Sequence, residues 1–209
     1  MTRVVVITGG AGGMGLATAK IMGADYHLVL CDNRRDRLDA AATELTALGM
    51  PPTVVHSDVT DRAAVDELFA TAAGQGTVSA VVHAAGVSPS MGDAEYVMIT
   101  NALGTVHVGE AFYEAAGEGA AIVNVASMAA YLVPESFIPT AHFPLAMNDQ
   151  ERFMAEMRQA LSIAPEESRS GMAYGVSKAF VKWYSSSQAE RFNGRGLRIV
   201  SVSPVSVDT

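Results

Sequence analysis

Cysteine is nearly absent from this chain. Cys31 is the only one in 209 residues, so no intramolecular disulfide can form, which suits a reducing compartment. It stands at the end of an apolar run, residues 27–31, and reads as a buried strand residue with no redox role. Charge is also scarce, at 17% of residues, and only three lysines occur: Lys20, Lys178 and Lys182. No Lys/Arg cluster offsets the net charge of −8, which argues against a nucleic-acid partner. No apolar run approaches the ~20 residues that span a bilayer, so no membrane segment is expected. Met1-Thr2-Arg3-Val4 leads straight into a strand without the shape of a signal peptide. Internal repeats and low-complexity segments are missing as well. With nearly half of the residues apolar, the expectation is one soluble cytoplasmic domain over 1–209 with a large core.

What is present is an alternation of short apolar runs with helical patterns. Strands are expected at residues 4–7, 27–31, 53–56, 78–83, 121–126 and 197–202. Helices are expected at 14–23, 35–48, 63–73, 92–116 and 173–193. This is the pattern of an α/β fold: a Rossmann-type doubly wound parallel sheet with helices on both faces. One connection breaks the rhythm. Between Ser127 and Tyr174 lie 46 residues with four prolines, where strand-to-helix loops usually take roughly 2–6. A helix is expected at 149–161, with Asp149 as cap and Phe153, Met154, Met157 and Leu161 as its apolar stripe. The mostly helical insertion, about 129–172, packs either on the body or as a lid lined also by Phe137, Ile138, Phe143 and Leu145.

Chemistry concentrates in two places. The first is the turn Thr8-Gly9-Gly10-Ala11-Gly12-Gly13-Met14-Gly15, between the first strand and the first helix. Glycines there let backbone N–H groups approach a pyrophosphate, and the helix N-terminus adds partial positive charge. Asp32 follows 17 residues beyond Gly15, at the end of the second strand, where a carboxylate bonds the adenosine ribose hydroxyls. Arg34 and Arg35 could accept the 2′-phosphate of NADP, but Asp32 leads and the turn holds no basic residue, so NAD is the expected cofactor. Asp58 could accept from the adenine amino group or could be a turn residue; spacing leaves both open. The second place is Tyr174-Gly175-Val176-Ser177-Lys178. Residues four apart share a helix face, so the ammonium can sit beside the phenol and favour its ionised form. A tyrosine tuned this way can give or take a proton near neutral pH, as alcohol–ketone chemistry requires.

With these residues in this order, the chain resembles the short-chain dehydrogenase/reductase family over essentially its whole length. Thr8-Gly9-x-x-x-Gly13-x-Gly15, with Met14 inside it, matches the family's glycine motif, and Asp58-Val59 resembles its adenine contact. His83-Ala84-Ala85-Gly86 falls where the family commonly has Asn-Asn-Ala-Gly, Asn101 where it has a helix asparagine, and Ser127 where it has the catalytic serine. The resemblance implies that Tyr174 is the acid/base, that Ser127 steadies the substrate oxygen, that Lys178 binds the nicotinamide ribose and lowers the tyrosine pKa, and that Asn101 holds a relay water. It places Ala85 and Gly86 at the cofactor, and Pro204, Val207 and Thr209 beside the nicotinamide, with Val205 where glycine is usual. No residue is assigned to a metal. His83 reads as a packed strand-end histidine in place of the family's asparagine. The long insertion resembles the bacterial 3α-hydroxysteroid dehydrogenase/carbonyl reductase branch. That likeness implies a hydrophobic secondary alcohol or ketone, steroids within that class, and a homodimer in preference to a tetramer. It also implies a further substrate-loop helix pair and last strand after Thr209. Two other readings compete: an extended-family nucleotide-sugar epimerase or dehydratase, since Gly9-x-x-Gly12-x-x-Gly15 fits that turn too, and a non-catalytic dinucleotide sensor.

Overall fold

Runs of β-branched and aliphatic residues too short for helices, each closed by a glycine, proline or polar turn, form the strands. The computed structural model describes residues 2–205, and the strands are β1 (Arg3–Thr8), β2 (His27–Asp32), β3 (Thr53–His56), β4 (Thr77–His83), β5 (Ala121–Val125) and β6 (Arg198–Val202). They form one parallel sheet in the order β3-β2-β1-β4-β5-β6. Strand order reverses between β1 and β4, and the crevice outside their C-terminal ends is where open sheets of this type bind ligands.

Alternation within β1 shows how both faces are covered. Val4 and Val6 point into the larger core, with Leu68 and Phe69 of α3 (Arg62–Gln75) and Phe112 of α5 (Gly104–Ala115). Val5 and Ile7 point the other way, into a smaller core with α1 (Gly13–Met22) and α2 (Arg35–Ala47), through Ala19, Leu38 and Leu45. The side chains of Val4, Val5, Val6 and Ile7 are all fully buried, which is why this part of the strand reads as an unbroken apolar run. Cys31 lies within the larger core, where burial pushes its thiol up to about 12 and keeps it protonated.

Two helices differ from the expectation. The segment read as one helix over 92–116 is α4 (Ala94–Met98), a π turn at Ile99–Leu103, and α5. Periodicity cannot register one extra residue in a turn, and this turn carries Asn101. The helix bearing Tyr174, α8 (Glu166–Ser187), starts seven residues earlier than expected, after Pro165, and closes before a short α9 (Ala189–Asn193). Its first two turns, Glu-Glu-Ser-Arg-Ser-Gly, hold no apolar stripe to announce them.

The insertion is part of the body. Three short 3₁₀ turns lead to α6 (Leu145–Asn148) and α7 (Gln150–Leu161). Asp149 caps α7 as expected, accepting from the Arg152 N–H at 3.0 Å. The stripe Phe153, Met154, Met157 and Leu161 is buried, and Phe153 packs on Phe180 of α8 with ring centroids 5.5 Å apart. Phe143 is also buried, edge-on to Phe180 and Trp183. Of the two arrangements the sequence allowed, α7 adopts the one packed on the body; of the other lining residues, Phe137 is exposed. Truncation of Phe153 to Ala should therefore cost about 3–5 kcal/mol of global stability in urea denaturation, as for a core phenylalanine. A loosely seated lid would lose far less.

Candidate active site

At the C-terminal ends of β1 to β4 lies a cleft of about 380 Å³. Its lining includes Gly9, Asp32, Asp58, Val59, Ala85 and Gly86, six of the residues the sequence assigned to a cofactor, together with Gly12; Gly13, Met14, Gly15, Tyr174, Lys178 and Pro204 are not part of that lining. The glycine turn is shaped by close approach. Gly9 has φ +63°, and a Cβ there would stand 2.7 Å from the Ala85 nitrogen. A Cβ on Gly15 would collide with the Gly9 carbonyl. No side chain caps α1 at Gly12 and no acid stands in its first turn, so its leading N–H groups remain available to an anion. Met14 accepts from the Thr18 hydroxyl through its carbonyl, inside the helix.

Asp32 accepts from the N–H of Ala11 at 3.2 Å with one oxygen and from the N–H of Arg34 at 2.9 Å with the other. The carboxylate is thereby fixed between the glycine turn and the end of β2. The guanidinium of Arg34 is engaged by Asp36 at 3.0 Å. Arg37, which the sequence reading did not single out, lines the same cleft, as do Ser57, Tyr96 and Thr100. Asp58 accepts from the Thr60 N–H at 2.9 Å while also lining the cleft, so it is a turn residue with its second oxygen uncommitted. Val59 is buried, and its carbonyl is bonded to His107 at 3.0 Å.

The Tyr174–Lys178 pair sits where α8 crosses the end of β5. The Lys178 ammonium donates to the Val125 carbonyl at 2.8 Å and lies 5.8 Å from the Tyr174 ring centroid. Only 6% of Lys178 is exposed, and among the described residues no carboxylate pairs with it. Burial lowers its pKa to about 8. A Cβ on Gly86, which lines the cleft, would stand 3.3 Å from this nitrogen and 3.0 Å from Asn101 Oδ1, so the glycine leaves both groups room.

Asn101 is fixed by its amide. Nδ2 donates to the Val87 carbonyl at 3.0 Å and to Ser177 Oγ at 3.1 Å, while Oδ1 accepts from the Val87 N–H at 2.9 Å. Ser177 Oγ in turn donates to the Tyr174 carbonyl at 2.8 Å. The asparagine thus braces the tyrosine helix, and a water at its side chain has only an Oδ1 lone pair to bond. Ser127 Oγ accepts from the Ala129 N–H at 3.1 Å, which leaves its own proton free for a substrate oxygen. The next residue, Met128, donates its N–H to the Pro204 carbonyl at 3.0 Å, which brings Pro204 to the serine. Val207 and Thr209 lie outside the described residues.

Sequence reasoning missed two residues inside its own motif. A Cβ on Gly175 would collide with Val133 and stand 3.2 Å from the Ala129 carbonyl, so this glycine lets α8 close on the turn that follows Ser127. Ser177 links Asn101 to the tyrosine helix. Their spacing, one and three residues beyond Tyr174, was visible, but their partners were not.

A family model described as short chain dehydrogenase matches residues 3–139. A Streptomyces avermitilis protein named 1-deoxy-11-beta-hydroxypentalenate dehydrogenase is 35% identical over 158 residues, which is 68% of this chain and 58% of that protein. A sulfoacetaldehyde reductase of Chromohalobacter salexigens is 29% identical over 222 aligned positions, covering 100% of this chain and 74% of that one. The chain spans less than two thirds of the first curated relatives it matches. Among solved structures, a short-chain dehydrogenase from Burkholderia cenocepacia in complex with NADP shares the fold with a TM-score of 0.74 at 23% identity, over 99% of this chain and 75% of that one.

The burial of Lys178 has a thermodynamic sign. Its ammonium titrates near 8 when folded, against 10.5 ordinarily, so the burden on stability is full below pH 8 and is relieved as pH rises towards 10.5. Substitution Lys178→Met should raise urea stability at pH 7 by on the order of 1–3 kcal/mol. The gain should shrink between pH 8 and 10.5; a gain independent of pH would contradict this origin.

Proposed function

The chain belongs to the short chain dehydrogenase family, and on that premise we propose that it transfers a hydride between NAD(H) and a hydrophobic secondary alcohol or ketone, hydroxysteroids included in that class. One observation carries the reading: a buried ammonium with no counter-ion among the described residues, one helical turn after Tyr174 and beside Gly86 of the cleft lining.

The cleft supports a dinucleotide through the uncapped start of α1, the close-packed glycine turn and the fixed Asp32 carboxylate. Asp32 favours NAD, because a carboxylate repels a 2′-phosphate and the Arg34 guanidinium is engaged by Asp36; Arg37, which also lines the cleft, is the cation that would favour NADP. NADP remains the less favoured cofactor, although the Burkholderia cenocepacia neighbour binds it. When bound, the nicotinamide supplies or accepts the hydride. Lys178 holds the ribose, Ser127 donates its free proton to the substrate oxygen, and Tyr174 takes or gives the proton on that oxygen. Asn101, through Ser177, keeps the tyrosine helix in register.

A hydrophobic substrate is supported by exposed apolar side chains that follow Ser127 and Pro204: Met128, Tyr131 and Leu132 on one side and Val205 on the other. The named relatives are a dehydrogenase and a reductase whose substrates differ widely, and they do not choose within the class. A cytoplasmic homodimer, in preference to a tetramer, goes with this reading. Among the described residues no helix is long and apolar enough to cross a membrane.

The test is turnover on a panel of hydroxysteroids and simpler secondary alcohols, followed by reduced-nicotinamide absorbance, with NAD and NADP compared. The wild type should prefer NAD, and Tyr174→Phe should lose at least about 10²-fold in kcat while still binding NADH. Tight NADH binding without turnover of any panel member would favour the sensor reading instead.

A further inference from the structure

His83, which stands where the family has asparagine, ends β4 and is fully buried between two threonines. Its Nδ1 lies 2.7 Å from Thr8 Oγ1 and its Nε2 lies 3.1 Å from Thr105 Oγ1. Thr8 closes β1 and opens the glycine turn, while Thr105 lies one turn beyond Asn101.

The hydrogen-bond partners settle which atom donates. Thr105 Oγ1 lies 2.7 Å from the Asn101 carbonyl, which can only accept, so the single hydroxyl proton of Thr105 is spent there. Thr105 must then accept from His83, which puts a proton on Nε2. The imidazole is neutral: burial, with Lys178 as the charged group acting on it, holds its pKa down to about 3. Nδ1 is therefore bare and accepts the hydroxyl proton of Thr8, whose oxygen in turn accepts from the Ala85 N–H at 3.3 Å. One directed chain results, from the Ala85 N–H through Thr8, His83 and Thr105 to the Asn101 carbonyl. A second proton on His83 would give Thr8 two donors and no acceptor.

We propose that His83 is a positioning residue that, as a neutral Nε2–H splint, couples docking of the dinucleotide at the glycine turn to the placement of the Asn101 turn behind the proton-transfer site. The coupling rests on the cofactor reading above. A shorter asparagine at this place could reach one side only. Its Oδ1 would superpose on Nδ1 and serve Thr8, leaving Thr105 without a donor. A glutamine amide would superpose its Nε2 on the histidine's Nε2 and serve Thr105, leaving Thr8 without its acceptor.

The test joins a spectrum to these two half-replacements. In protein labelled with ¹⁵N-histidine, the resonance lost in His83→Gln should belong to a neutral Nε2–H tautomer that does not titrate between about pH 5 and 8. NADH titrations should show His83→Gln raising the Kd about tenfold with the smaller effect on kcat, and His83→Asn lowering kcat about tenfold with the smaller effect on Kd, the scale of one lost buried hydrogen bond. An Nδ1–H tautomer, titration near pH 6.5, or two variants that move Kd and kcat alike would overturn the splint in a chain that binds NADH. A wild type that binds no NADH would overturn the cofactor reading and the coupling together.

Discussion

A lysine ammonium held out of water, with no acid among the described residues to neutralise it, governs the arrangement of this molecule. Among the described residues Lys178 has one acceptor, the Val125 carbonyl at the end of β5, and it is 6% exposed. Taking a charge out of water costs several kcal/mol unless partners replace the lost hydration, and one carbonyl replaces only part of it. The fold supports this by surrounding the site with packed and hydrogen-bonded neighbours. β5 is an inner strand between β4 and β6, Phe143 and Phe153 clamp α8 through its Phe180, and Gly86 leaves room beside the ammonium.

Several separate features converge on keeping the tyrosine helix where that lysine needs it. Gly175 removes the side chain that would hold α8 away from the turn after Ser127. Ser177 and Asn101 tie the same helix to the π turn and to Val87, at the edge of the cleft. The insertion adds weight from outside, since α7 packs on α8 and α4 with Phe153, Met154 and Met157 buried. The contact between α7 and the helices carrying Tyr174 and Asn101 links the least regular part of the chain to its chemistry through packing.

Much of this was legible in the sequence because the signals were local. A glycine turn directly after a β-branched run, an aspartate at the end of the next strand, and a tyrosine–lysine pair at helical spacing each announce themselves within a few residues. Asp149 was readable as a cap for the same reason. The missed features depend on distant partners. The first two turns of α8 carry no apolar stripe, because they lie at the edge of the body, so the helix seemed to begin at Ala173. The π turn adds one residue in a way that hydrophobic spacing cannot register. His83 looked like an isolated departure, because its two threonines are 75 and 22 residues away in the chain. Whether the insertion lay on the body or over the site was open in the sequence, and only the burial of Phe153 and Met157 separates the two.

The account stands most directly on the state of Lys178, which can be measured without knowing any substrate. The ¹³Cε resonance of this lysine, identified by its loss in Lys178→Met and followed through a pH titration, reports its pKa. The structure predicts a value about 8 in the free protein, with a change when NADH is added. A value near 10.5, indifferent to NADH, would mean an ordinary solvated lysine and would contradict the account.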